Sequence, residues 1–160
     1  MGLNPAFSAF IARPSVSRVA LRVATWLDRP LMRLSRGRFR LSFVIPVCLV
    51  SMRGARTGEN REVPLLYVPL DEGDDAILLV ASNGGQPRHP AWYHNLRAHP
   101  QVRVLFSDGE RPMMARLLAG DERSAGMVQA CGVYPGYAVY EQRCERQIPV
   151  FRLSPVAASE

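Results

Sequence analysis

None of the twenty basic residues in this 160-residue chain is a lysine. Every cationic contact is therefore a fork-shaped guanidinium, suited to phosphate or carboxylate oxygens. Acids are nearly missing from residues 1–58, which hold ten arginines against the single acid Asp28. The remaining residues hold ten arginines against thirteen acids, so the net charge of +6 belongs to the N-terminal third. Cysteine is scarce. Cys48, Cys131 and Cys144 are odd in number and contain no C-x-x-C pair, which argues against a disulfide framework and for free thiols in a reducing cytosol. No apolar run approaches the ~20 residues of a membrane span. The amino terminus lacks the apolar core and small-residue cleavage site of a secretory signal. Also missing are a Gly-x-Ser-x-Gly elbow, a P-loop, a Gly-x-Gly-x-x-Gly turn and a carboxylate pair, so nothing supports hydrolysis or phosphoryl transfer. Redox or group chemistry is left to something bound.

What is present fits one globular domain with a sizeable core. Residues 18–36 read as a basic amphipathic helix, with arginines four and seven apart on one face and Pro30 splitting it. Such a helix can rest on an anionic membrane surface or simply pack on the domain. From Leu41 the period changes to that of strands: 42–52 with Pro46 at an edge or bulge, 61–69, 76–81, 102–106, 111–118 and 147–153. Helices are expected over 92–98, 121–131 with Asp121 as N-cap, and 134–145. The sum is an α+β fold around a small, mostly antiparallel barrel of about six strands. Its organisation is an N-terminal helical segment at 1–40, a barrel domain at 41–154 and a tail at 155–160.

Four stretches concentrate the candidate chemistry. The loop Arg53-Gly54-Ala55-Arg56-Thr57-Gly58-Glu59-Asn60-Arg61 sets three arginines and two glycines between strands, which suits an anion or a plain solvated hairpin. No aromatic residue interleaves with these arginines, which argues against nucleic-acid binding. The strand at 76–81 runs into Ser82-Asn83-Gly84-Gly85, a turn over which a flat ligand can approach the backbone. Trp92 and Leu96 then share a helical face, by default a core face. His89, His94 and His99 stand five apart, about 140° around a helix, so they converge on no metal. Finally, Tyr134, Tyr137 and Tyr140 form a stripe that can pack as rings or offer hydroxyls to a substrate.

Taken in order, these motifs resemble the actinobacterial deazaflavin-dependent nitroreductase family. The resemblance rests on Ile45-Pro46-Val47, Gly54-x-Arg56-Thr57-Gly58-x-x-Arg61-x-x-Pro64-Leu65, Ala81-Ser82-Asn83-Gly84-Gly85, Pro90-x-Trp92-Tyr93-x-Asn95-Leu96-x-Ala98-x-Pro100-x-Val102, Tyr134-Pro135-x-Tyr137-x-x-Tyr140 and Ile148-Pro149-Val150. It implies a split β-barrel of the flavin-binding kind and coenzyme F420, an 8-hydroxy-5-deazaflavin with an acidic tail. By that resemblance the tail falls to Arg56, Thr57, Gly58 and Arg61, with Arg53 just upstream. The rest of the coenzyme falls to Val80, Ala81, Ser82 and Asn83 and to Ala91, Trp92, Tyr93, His94 and Asn95. Ser82, Tyr134, Tyr137 and Tyr140 take the catalytic side, with Tyr137 also near the coenzyme. The implied reaction is hydride transfer from reduced F420 to a quinone, an unsaturated carbonyl compound or a nitroaromatic. The implied setting is a monomer or homodimer in the cytoplasm, with peripheral contact to the inner membrane face through residues 18–36. Two other readings stand beside it: a non-catalytic lipid- or cofactor-binding barrel, and an FMN enzyme of the same fold.

Overall fold

The computed structural model describes residues 46–70, 73 and 75–156. The expected helix at 18–36 lies outside the described residues. Seven strands form one sheet: β1 (Val47–Arg53), β2 (Asn60–Leu66), β3 (Val68–Pro69), β4 (Ile77–Val80), β5 (Gln101–Phe106), β6 (Gly109–Leu117) and β7 (Val150–Pro155). Among the described residues three α-helices accompany them: α1 (Ala91–Ala98), α2 (Gly120–Val133) and α3 (Gly136–Arg143). A 3-10 turn covers Asn83–Gly85.

All six strand pairings are antiparallel, in the order β2-β1-β5-β6-β7-β4-β3. The first and last strands of that order are joined by one residue, Tyr67. Two Cα steps span at most roughly 7 Å, so the two ends of the sheet meet and the sheet curls into a barrel. Tyr67 fastens the seam. Its amide donates to the Pro46 carbonyl at 3.0 Å, and its ring meets the Phe106 ring edge-on at 5.3 Å. The single strand expected over 61–69 is thus two strands at opposite ends of the sheet, which is why the count is seven. Pro46 stands just before β1, and Pro64 falls on β2, whose ladder is to β1 alone.

Alternation sets the faces. In β5, Val102, Val104 and Phe106 are buried while Gln101 and Arg103 face water. β4 is buried at all four positions because it separates two cores. Ile77 and Leu79 join the barrel interior with Val50, Met52, Val104, Met113 and Phe151. Leu78 and Val80 face Met127, Ala130, Tyr137 and Tyr140 on α2 and α3. Fully burying a Leu or Val side chain stabilises by ~1.5–3 kcal/mol, so β4 anchors both layers.

Helix α2 begins one residue before the expected Asp121 cap. Ala119 is the N-cap, and Asp121 and Glu122 occupy the first turn, where carboxylates face the positive end of the helix dipole. Inside, the Arg123 side chain is only 10% exposed. It donates to the Ile148 carbonyl from Nε at 3.0 Å and Nη2 at 2.8 Å, and pairs with Glu141. One guanidinium therefore ties α2, α3 and the run-in to β7.

Candidate cofactor site

The basic loop is a compact turn between β1 and β2. Its ends are closed by Gly54 N–H to Glu59 O (2.8 Å) and Gly58 N–H to Gly54 O (2.9 Å). Gly58 has φ +70°, and a Cβ there would meet the Arg53 guanidinium at 3.3 Å. Glycine thus lets the loop fold under Arg53. Arg61 Nη2 is held by Glu59 at 2.6 Å, while Arg56 is exposed and makes no ion pair among the described residues. Arg53, also exposed, makes no ion pair among the described residues either.

Later in the chain, α1 starts at Ala91 beside the same loop. Pro90, in extended conformation, is its N-cap, no side chain caps it, and its first turn holds no acid. The helix end is receptive to negative charge. Ala55 N–H donates to Asn95 Oδ1 at 2.9 Å and fixes the loop against the helix. Between them lies a cleft of about 690 Å³, lined among others by Arg56, Thr57, Arg61, Ala91, His94 and Asn95. Trp92 reaches the same lining, yet it and Tyr93 are each only 8% exposed and pack on Phe151 at 6.1 and 5.7 Å between ring centres. Their rings belong mainly to the core.

The Ser82 turn is a second, tighter construction. Asn83, Gly84 and Gly85 have φ of 48°, 64° and 75°, three successive residues in the left-handed region. Glycine adopts that region freely, and asparagine tolerates it. Asn83 also braces the loop, donating from Nδ2 to the Arg88 carbonyl at 2.9 Å. Val80, Ala81 and Ser82 are buried. The Ser82 hydroxyl makes no hydrogen bond among the described residues, and no side-chain oxygen there is both fully buried and unpaired. It therefore retains some access to solvent.

Behind the turn stand the tyrosines. Gly85 packs on Tyr140, where an added Cβ would lie 3.4 Å from Cα. Tyr137 and Tyr140 are 5% and 3% exposed. The Tyr134 and Tyr140 hydroxyls pair at 3.2 Å. Tyr134 precedes α3 and folds back over Gly136, where a Cβ would fall 2.4 Å from its ring. The stripe expected on one helix is thus a trio of rings around the helix start, with centres 5.2 to 6.4 Å apart. Burial pushes the Tyr137 phenol far above its ordinary range. Burial and then the Tyr140 hydroxyl do the same for Tyr134. Both are held in the protonated form, and of the two only Tyr134 makes a hydroxyl hydrogen bond among the described residues.

Two groups of expected residues therefore come together separately. The basic loop joins the α1 start, and the Ser82 turn joins the tyrosines. The link is His89, whose ring stacks on Tyr93 at 4.2 Å and 21°. Arg146 completes it and carries no local signal in the sequence. Its guanidinium donates to the carbonyls of Ala81 (3.1 Å), Ser82 (3.0 Å), Gln86 (3.1 Å) and Arg88 (3.5 Å), and meets His89 Nδ1 at 3.1 Å. Glu62 and Val63 also line the cleft without having been singled out from the sequence.

A curled antiparallel seven-stranded sheet with an arginine loop and an uncapped helix start on one cleft is a split-barrel cofactor-binding fold. The F420H(2)-dependent quinone reductase family matches residues 25–155, and the chain belongs to that family. An F420H(2)-dependent quinone reductase of Mycobacterium tuberculosis is 32% identical over 148 residues, covering 82% of this chain and 97% of the relative. Among solved structures, an F420-H2 dependent reductase (FDR-A) is 40% identical, with a TM-score of 0.62 over 68% of this chain and 94% of that one. Another, described as a domain-swapped dimer, is 36% identical, with a TM-score of 0.65 over 81% and 97%. Among the described residues no helix is long and apolar enough to cross a membrane.

Proposed function

We propose that this protein is an F420H2-dependent oxidoreductase that reduces a quinone, and that unsaturated carbonyl compounds and nitroaromatics are accepted by the same site. The observation that carries the reading is the cleft shared by the unpaired Arg56 and the uncapped start of α1. An acidic coenzyme tail fits that donor set, because guanidinium and helix amides both favour anionic oxygens. Arg56, Thr57, Gly58 and Arg61 would hold the tail, with Arg53 behind the loop. Ala91 to Asn95 and Val80 to Asn83 would border the rest.

Bound there, the reduced deazaflavin supplies a hydride, and its oxidised form and a hydroquinone are the products. The chain's own work is placement. The Ser82 hydroxyl, unpaired and partly accessible, is a donor for a ring oxygen. Tyr134 and Tyr140 share a hydrogen bond beside the turn and would orient the acceptor oxygen by donating to it, the proton of the hydroquinone coming from solvent, while Tyr137 packs against them.

Fluorescence quenching of F420 by the purified chain, followed by turnover of F420H2 with menadione, tests the reading. Micromolar binding with turnover is expected. Binding of FMN in place of F420, or F420 binding without turnover, would replace it with the flavin-enzyme or non-catalytic reading. Peripheral membrane contact through residues 18–36 and assembly as a monomer or homodimer belong to the same proposal. Co-sedimentation with anionic vesicles, with and without residues 1–36, and light scattering test those two points.

A further inference from the structure

Arg146 lies outside every motif discussed above, yet all three nitrogens of its guanidinium are engaged with one segment, residues 81–89. Within the segment the one side-chain brace is Asn83 Nδ2 to the Arg88 carbonyl, and Arg146 adds four carbonyl contacts from outside it. The segment has only two short-range backbone bonds of its own, Gly85 N–H to Ser82 O and Gln86 N–H to Asn83 O. Three successive positive φ angles also leave it no regular partner.

We infer that Arg146 is the positioning residue of the site: it acts through the carbonyls of Ala81, Ser82, Gln86 and Arg88 to hold the Ser82 hydroxyl toward the bound ring, and through His89 to couple that turn to α1. This rests on the proposed F420 reading for the identity of the ring, but not for the clamp itself. Because the guanidinium can only donate, His89 Nδ1 must accept, so the clamp requires a neutral imidazole with its proton on Nε2. The groups facing His89 are Arg146 on one side and Tyr93, His94 and Arg97 of α1 on the other. No acid is among the causes that shift it. Protonating His89 would set two cations against each other at 3.1 Å. Lysine, with one nitrogen, would reach only part of these carbonyls.

The test uses the full chain as wild type, Arg146→Lys, Arg146→Gln and His89→Gln. Amide hydrogen exchange should quicken at least tenfold across residues 82–89 in Arg146→Gln. It should quicken less in Arg146→Lys, with β5 and β6 unchanged. With F420H2 and menadione, kcat should fall at least tenfold in Arg146→Gln while the F420 dissociation constant moves less than threefold, since the tail is held elsewhere. His89→Gln should flatten the acidic limb of kcat. Exchange that is unchanged, or faster everywhere, overturns the clamp. A local exchange effect in a protein that binds no F420 leaves the clamp standing and sinks the proposed function. Equal loss in affinity and kcat overturns the positioning role.

Discussion

The Ala55 amide and the Asn95 side chain, forty residues apart, share a 2.9 Å hydrogen bond that seats the arginine loop on the start of α1. One half of the cleft is thus pinned to the other by a single exposed contact. Asn95→Ala should weaken F420 binding by roughly fivefold, in line with a net ~1 kcal/mol for a neutral hydrogen bond. Fluorescence titration reads it, and Asn95→Asp should be worse than alanine because it brings a carboxylate to an anion site.

Arg56 and Arg61 differ although both are arginines of one loop. Arg61 is already paired with Glu59, whereas Arg56 has no ion pair among the described residues. Replacing Arg56 by Ala should cost about tenfold or more in F420 affinity, as expected for a charge-assisted contact. Arg61→Ala should cost less. The loss should shrink as ionic strength rises from 0.05 to about 0.5 M, which isothermal titration at several salt concentrations will show.

Stability should fall with acid through His89. Burial, then Arg146, His94 and Arg97, hold its pKa below the ordinary 6.5. A depressed histidine contributes stability that is intact above the unfolded value and is lost as pH falls from 6.5 toward the lower folded value. The urea midpoint should therefore drop between pH 7.5 and 5, and His89→Gln should lack that part of the drop.

Tyr134 and Tyr137 should resist ionisation. Both phenols are driven upward chiefly by burial, so absorbance at 295 nm should show them titrating only as the chain unfolds. Gly136→Ala places a methyl where the Tyr134 ring lies. It should expel that ring, break the Tyr134–Tyr140 pair and let one further phenol titrate in the folded protein.

Glu141→Ala should destabilise the fold by about 1–3 kcal/mol. Removing one member of a buried ion pair strands the other charge, and Arg123 is 10% exposed while Glu141 keeps 35%, which tempers the loss. Arg123→Met should cost at least as much, because it strands Glu141 and also leaves the Ile148 carbonyl without its two donated bonds. Urea unfolding of the two variants distinguishes these outcomes.

Much of this was legible in the sequence, and the rest was hidden for identifiable reasons. Alternation located β5, β6 and their turn at Asp108-Gly109, because one face of each is wet and the period survives. The run through Tyr67 read as one strand, since β2 and β3 are both extended and no glycine marks the break. Only the pairing partners, β1 for one and β4 for the other, separate them. The arginine loop and the Ser82 turn stood out because glycine clusters and charge are local signals. Arg146 did not, because its partners are carbonyls about sixty residues away, and a carbonyl belongs to every residue alike. The tyrosine spacing was visible. That Tyr134 sits outside the helix depended on a ring lying over Gly136, a contact that spacing alone does not encode.

The order of the strands in the sheet also sets an order in time. Among the described residues β4, whose end carries the Ser82 turn, pairs with the two-residue β3 and with β7, the last of the described strands. Arg146, which grips the turn, stands just upstream of β7. During synthesis from the amino end, the arginine loop and its hairpin can form early, but the strand that carries the turn lacks its long partner until Val150–Pro155 has emerged. A chain lacking Val150–Pro155 would keep the arginine loop and lose the long partner of β4, on whose end the Ser82 turn is carried. The two halves of the candidate site are thus secured by pairings made at different points along the chain.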